Sequence, residues 1–137
     1  MEYLQRCMAI KQRIVADALT PRRNLFMAPN GKVSLNMDGL IAAVEHWAIE
    51  RQIIPNSTPM AQLLKTMSEL GELADATLKS DRDGIVDGVG DVMVTLIIYA
   101  ALQDVSLEEC LTAAYEQIKD RKGVLTPEGV FVKEGDA

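Results

Sequence analysis

The stretch from Ile85 to Leu102 constrains the fold more than any other part of the chain. At about 100° per residue, its Val86, Val89, Val92, Met93, Leu96, Ile97, Ile98 and Tyr99 side chains point in every direction around a helix. A helix that is apolar all round is expected to be covered all round, by a core or by another subunit. Asp87 and Asp91 are its only charged residues, and a spacing of four puts both on one side, a turn apart. Buried carboxylates are rare unless they are paired or bind metal, and like charges this close repel, so the pair calls for a cation. The competing reading places Asp87 in a solvated first turn, where its charge suits the helix dipole, and leaves one odd aspartate.

The partner of this helix is expected to be the one before it. Thr58 followed by Pro59 has the form of an N-cap with proline at the first helical position, opening a helix to about Lys79. Its core stripe reads as Leu63, Met67, Leu70 and Ala74, with Glu69 and Glu72 off one edge and Lys65 beside them. Antiparallel packing across the short Ser80–Asp83 connection would bring the glutamates near the aspartates, the four acids facing one another in a poorly solvated pocket. Two glutamates flanking a buried face suit a metal site in a bundle core. The plainer reading is a solvated edge with Lys65 and Glu69 as an i,i+4 ion pair. Four carboxylates without sulfur favour Mg²⁺ or Mn²⁺ over zinc, and the single histidine, His46, speaks against a di-iron centre.

The rest of the chain completes an all-α bundle of about five helices. Glu2–Leu19 is the expected first helix, ended by Pro21; Asp38–Arg51 is the second, carrying Leu40, Ile41, Val44 and Trp47; and Pro55 to Pro59 breaks the chain after it. Asp83 is the expected cap of the fourth. Ser106-Leu107-Glu108-Glu109 fits a capping box for a fifth helix reaching about Lys122, with Gly123 as its left-handed stop. Short irregular or hairpin segments are expected near 24–36, around Pro29-Asn30-Gly31, and near 124–133, around Thr126-Pro127-Glu128-Gly129. At 137 residues the length fits one domain, with 1–36 as an N-terminal extension, 37–123 as the helical core and 124–137 as a tail.

Several classes of function are disfavoured. A net charge of −6 opposes a sequence-independent grip on DNA or RNA. Two distant cysteines make a disulfide framework improbable. No charged-then-apolar leader opens the sequence, and the longest apolar run, Val92 to Leu102, is too short to span a bilayer, so a cytoplasmic setting without membrane contact is expected.

Ser68-Glu69-Leu70-Gly71-Glu72-Leu73-Ala74-Asp75, followed by Asp87-Gly88-Val89-Gly90-Asp91-Val92, resembles the MazG-like all-α nucleoside triphosphate pyrophosphohydrolases, in their phage-type branch. The resemblance continues through Glu108-Glu109-Cys110-Leu111, Tyr115, Ile118-Lys119-Asp120-Arg121-Lys122-Gly123 and Gly129-Val130-Phe131-Val132-Lys133. It covers roughly His46 to Lys133. The family pattern is Glu-x-x-Glu, a spacer, then Glu-x-x-Asp; Glu69, Glu72 and Asp91 fit it, whereas Gly88 stands where the third acid belongs and Asp87 is one residue earlier.

The resemblance implies hydrolysis of a (deoxy)nucleoside triphosphate to monophosphate and pyrophosphate, with a lean to dGTP. It implies two or three Mg²⁺ (or Mn²⁺) held by Glu69, Glu72, Asp87 and Asp91, with Glu69, Glu72 and Asp91 in the catalytic role and Glu69 or Glu72 handling the attacking water. Lys65, Lys119, Arg121 and Lys122 are candidate phosphate ligands. Trp47 and Tyr115 are candidate nucleotide contacts, although a lone Trp is more often core and a basic helix end often serves only the helix dipole. The all-round apolar helix and the habit of the relatives together imply a homodimer or homotetramer. Two rival readings remain: a non-catalytic helical module with a structural metal, and a phosphoribosyl-ATP pyrophosphohydrolase.

Overall fold

The structure, a computed structural model, describes residues 36–135 in full, the backbone of 25–27 and 33–35, and the helical residues Gln5, Met8, Ala9 and Gln12. The rest of the expected Glu2–Leu19 helix and the Pro29-Asn30-Gly31 turn lie outside the described residues. The class is all-α, as expected. Five helices are described, α1 (Met37–Glu50), α2 (Ile53–Asn56), α3 (Pro59–Leu78), α4 (Arg82–Gln103) and α5 (Leu107–Ile118). Two antiparallel hairpins accompany them. β1 (Leu25–Met27) pairs with β2 (Val33–Leu35), Leu25 opposite Leu35, and β3 (Gly123–Leu125) pairs with β4 (Phe131–Lys133), Val124 opposite Val132. The chain forms two compact units, Met1–Val105 and Ser106–Ala137.

Each long helix in 36–135 begins at a side-chain cap that satisfies an otherwise orphaned amide. Asn36 accepts from the Gly39 amide (2.9 Å), Thr58 from Ala61 (3.1 Å), Asp81 from Gly84 (3.1 Å) and Ser106 from Glu109 (3.3 Å). The cap of α4 is therefore Asp81 rather than Asp83, and the connection from α3 is shorter than expected. Ser80, with φ +54°, closes α3 in a left-handed turn: its amide donates to the Thr77 carbonyl and that of Asp81 to Ala76. Asp81 thus ends one helix and starts the next.

The chain break after α1 also differs from expectation. It falls at Gln52, with φ +60°, and Ile53-Ile54-Pro55-Asn56 then makes one further helical turn. Pro55 is tolerated because a first turn needs no amide there. Ile54 is fully buried and joins Ala48 of α1 and Ile98, Ala101 and Leu102 of α4, with Val44, Ile49, Ile53 and Val94 packed around them. This core clamps the C-terminal half of α4, and an isoleucine so buried contributes about 2 kcal/mol.

α3 and α4 run antiparallel along each other. Thr66 donates from its hydroxyl to that of Thr95 (3.0 Å), and Thr95 in turn donates to the Val92 carbonyl (2.9 Å). Both threonines are buried. At the next contact toward the connection, Gly88 lies against Leu73. This register corrects the stripe read from the sequence. The face of α3 turned to α4 carries Gln62, Thr66, Glu69, Leu73 and Ala76, while Leu63, Met67, Leu70 and Ala74 are exposed.

Among the described residues, α4 is likewise not covered all round. Its C-terminal half is buried, but Val86, Val89, Met93 and Leu96 are exposed. Among the described residues it is the one helix whose length and composition would suffice to cross a membrane, longer than the run judged too short above. Its three aspartates, Asp83, Asp87 and Asp91, and its pairing with the polar face of α3 set it apart from such a span.

In the second unit, α5 stops at Ile118, four residues before the expected Lys122. Gly123 is no left-handed stop but the first residue of β3, where a Cβ would run into the Val132 carbonyl and the Phe131 ring.

Candidate active site

At the end of the α3–α4 hairpin nearest the connection lies a cleft of about 250 Å³. Glu72, Asp75, Ala76 and Lys79 of α3 and its cap line one wall, and Asp81, Gly84, Asp87, Gly88 and Asp91 the other. Three of the four acids singled out by sequence therefore share one cleft. Glu69 lies one turn back along α3, level with Asp91 in the register set by the threonine pair.

The four acids differ in their access to water. Glu72, Asp87 and Asp91 are exposed, contrary to the poorly solvated pocket expected for all of them. Glu69 alone is buried, at 5% exposure. Its carboxylate is paired with the Lys65 ammonium, an ion pair the sequence spacing foresaw, with the lysine side chain itself 57% exposed. The hydrogen bond to Glu69 and then the charge of Glu69 hold Lys65 above the ordinary lysine range, and Glu72 and Asp91 add to the effect. Lys65 thus feels three of the four acids at once. Because the folded protein raises this group, the pair stabilises fully below the ordinary lysine pKa and fades only in alkali above it.

Among the described residues, no three of the acids come together on one point. The donor set, carboxylate oxygens without histidine or thiol, nonetheless suits a hard divalent cation.

Gly88 explains where the third acid sits. A Cβ on this residue would lie 3.0 Å from the Leu73 Cβ and 3.1 Å from its Cα, so the helix contact leaves no room at position 88 for a long side chain unless the helices shift. One residue earlier, Asp87 opens into the cleft.

Asp75, Lys79 and Asp81 were missed as site residues. Lys79 pairs with Asp75 at 2.5 Å, and that hydrogen bond, then the charge of Asp75, raises its pKa, with a further contribution from Asp81. The signal was available, since Asp75 is three residues after Glu72 and Lys79 four after Asp75, all on one helix face. Trp47, on α1, is 43% exposed and does not line the cleft. Tyr115, Lys119, Arg121 and Lys122 belong to the second unit, where Lys119 caps α5 and pairs with Glu116 at 2.6 Å. Cys110 is a free, exposed thiol.

Comparisons with known proteins agree with this architecture. The family model of the MazG nucleotide pyrophosphohydrolase domain matches residues 57–125, from the cap of α3 through β3. An uncharacterised 18.2 kDa protein of Haemophilus phage HP1 is 38% identical over 65 residues, 47% of this chain and 40% of that protein, so the chain spans about two-fifths of this relative's length. The cyanophage S-2L MazG-like pyrophosphohydrolase, solved with dGDP and three catalytic Mn²⁺ ions per active site, shares the fold. It superposes with a TM-score of 0.56 at 24% identity, over 74% of this chain and 99% of its own. With the family model spanning the whole acid-bearing hairpin, this chain belongs to the MazG nucleotide pyrophosphohydrolase family.

Proposed function

We propose that the chain is a divalent-metal-dependent pyrophosphohydrolase that cleaves deoxynucleoside triphosphates, dGTP foremost, to monophosphate and pyrophosphate. The observation that carries this reading is the hairpin cleft, where Glu72, Asp87 and Asp91 share one wall-to-wall space with Glu69 a turn away. Family membership supports the reaction class, and the dGDP in the cyanophage enzyme supports the guanine lean.

Glu69, Glu72, Asp87 and Asp91 would hold two or three Mg²⁺ or Mn²⁺ ions. The chemistry such ions supply is acidification of water and neutralisation of charge on departing pyrophosphate. Glu72 is the better placed of the two glutamates to accept the proton of the attacking water on a carboxylate oxygen, since it opens into the cleft whereas Glu69 is tied to Lys65. Lys79 adds a cation at the cleft wall for the triphosphate, and Lys65, Lys119, Arg121 and Lys122 remain proposed phosphate ligands. Trp47 and Tyr115, both well exposed, are the rings offered to the base.

Turnover of the eight common ribo- and deoxyribonucleoside triphosphates, with phosphoribosyl-ATP as a ninth substrate, tests the reading. No turnover of any would leave a non-catalytic module, and turnover of phosphoribosyl-ATP alone would change the substrate class. Phosphorus NMR is expected to show pyrophosphate released in one step and only with Mg²⁺ or Mn²⁺ present. A nucleoside diphosphate intermediate would place attack at the γ-phosphorus and refute the mechanism.

The proposed assembly is a homodimer or a homotetramer, working in the cytoplasm, of a host cell where the gene is a phage's. Its support is the apolar surface of Leu64, Met67, Leu70, Val86, Val89 and Met93 exposed on the hairpin. Light scattering at micromolar concentration is expected to give a multiple of 15.0 kDa, and a mass equal to it would end this proposal.

A further inference from the structure

We propose that Lys65 is a built-in counter-ion that a divalent cation has to displace from Glu69, so that this lysine sets the metal affinity of the site. The inference rests on the reading of Glu69 as a metal ligand. A carboxylate with 5% exposure has lost most of its hydration and needs a compensating charge, which the Lys65 ammonium provides from the solvent side. The same ammonium is attracted by Glu72, further along α3, and by Asp91 on the facing helix. It therefore already holds Glu69, the anionic centre that would receive the metal.

Two cations cannot share that centre cheaply, because each would raise the energy of the other at close range. The lysine is the one able to leave. Its side chain is 57% exposed on a flexible four-carbon stem, so it swings into water with little loss, whereas Glu69 is fixed between two helices. Once displaced, the ammonium stands free beside the metal ligands, where a triphosphate brings its own negative charge. Metal loading and phosphate capture become linked through one side chain.

The test uses the full chain. Mn²⁺ binding is measured by calorimetry for wild type, Lys65→Gln, Lys65→Arg and Glu69→Gln. In parallel, acetylation of the wild-type lysines is followed by mass spectrometry in EDTA and in excess Mg²⁺. Lys65→Gln should bind Mn²⁺ about tenfold more tightly, the equivalent of one charged hydrogen bond no longer competing. Lys65→Arg, which keeps the charge, should stay near wild type. Acetylation of Lys65 should quicken several-fold with Mg²⁺ relative to the other lysines.

Unchanged or weaker Mn²⁺ binding by Lys65→Gln overturns the proposal. So does a Lys65 labelling rate indifferent to Mg²⁺, which would mean the ammonium is repelled but never displaced. The labelling arm decides the matter even if Lys65→Gln fails to fold. Glu69→Gln binding Mn²⁺ as wild type would instead remove Glu69 as a ligand, and with it the metal reading beneath the proposal.

Discussion

Asp91→Asn is expected to lower turnover by about a thousandfold or more, beyond the 10–100-fold that follows loss of a group behind a metal ligand. Asp91 lines the cleft together with Glu72 and Asp87, stands level with Glu69 and acts on Lys65. An amide keeps its volume but is a much poorer ligand for a hard cation. Stability should respond differently in two media. In EDTA the mutant should be as stable as wild type or more so by a few tenths of a kcal/mol, the size of like-charge relief between exposed residues a turn apart on a helix. The gain is small because Asp91 is exposed rather than buried as its sequence context suggested. In excess Mg²⁺ the order should reverse, since a cation at a hundred times its Kd stabilises the wild type by about 2.7 kcal/mol and the mutant by less. Thermal melting of both proteins in both media measures this. Equal rises with Mg²⁺ would show that Asp91 is no ligand, and a mutant much weaker in EDTA would give it a structural role.

Gly88→Glu restores the family's Glu-x-x-Asp spacing, and it should nevertheless damage the protein. The added Cβ would meet the Leu73 Cβ at 3.0 Å and its backbone Cα at 3.1 Å, and the backbone cannot swing aside as a side-chain tip can. Overpacking of this kind, together with a charge forced between two helices, costs about 3 kcal/mol. That loss lowers Tm by on the order of 10 °C. Gly88→Ala is the control. Its clash requires a shift of a few tenths of an ångström, while alanine gains about 1 kcal/mol over glycine in helix propensity, so its Tm should hardly move. A Gly88→Glu protein that melts like wild type would mean the helices part freely at this point and that the placement of Asp87 needs another explanation.

The site was more legible in the sequence than the packing that holds it. Charges at spacings of three and four on an apolar helix announce themselves, and Glu72, Asp87 and Asp91 do meet in one cleft. The facing stripe of α3 was misread because that helix is apolar on two sides. Leu63, Met67 and Leu70 give the stronger periodic signal, yet they lie on the outer surface. The inner face is specified by Thr66 and Thr95, whose hydroxyls satisfy each other at 3.0 Å, and hydrophobicity carries no trace of such a pair. The cap of α4 was placed two residues late for a related reason. Asp81 and Asp83 are equally good cap residues, and the left-handed Ser80 before Asp81 decides between them. Asp75 and Lys79 show the reverse case, a signal present in the spacing and not followed to the end of the helix.

The three-residue link Lys79-Ser80-Asp81 also governs the order in which the chain assembles. Loop closure over so few residues costs little entropy, and helix pairs built from sequence-local contacts belong to the fastest-folding topologies. Every acid of the site, from Glu69 to Asp91, is carried on this one hairpin. During synthesis it can therefore zip together as soon as α4 is available, before α5 and the C-terminal strands exist. The chain thus sets its acidic cleft on its most local pairing, independently of the segments made after it.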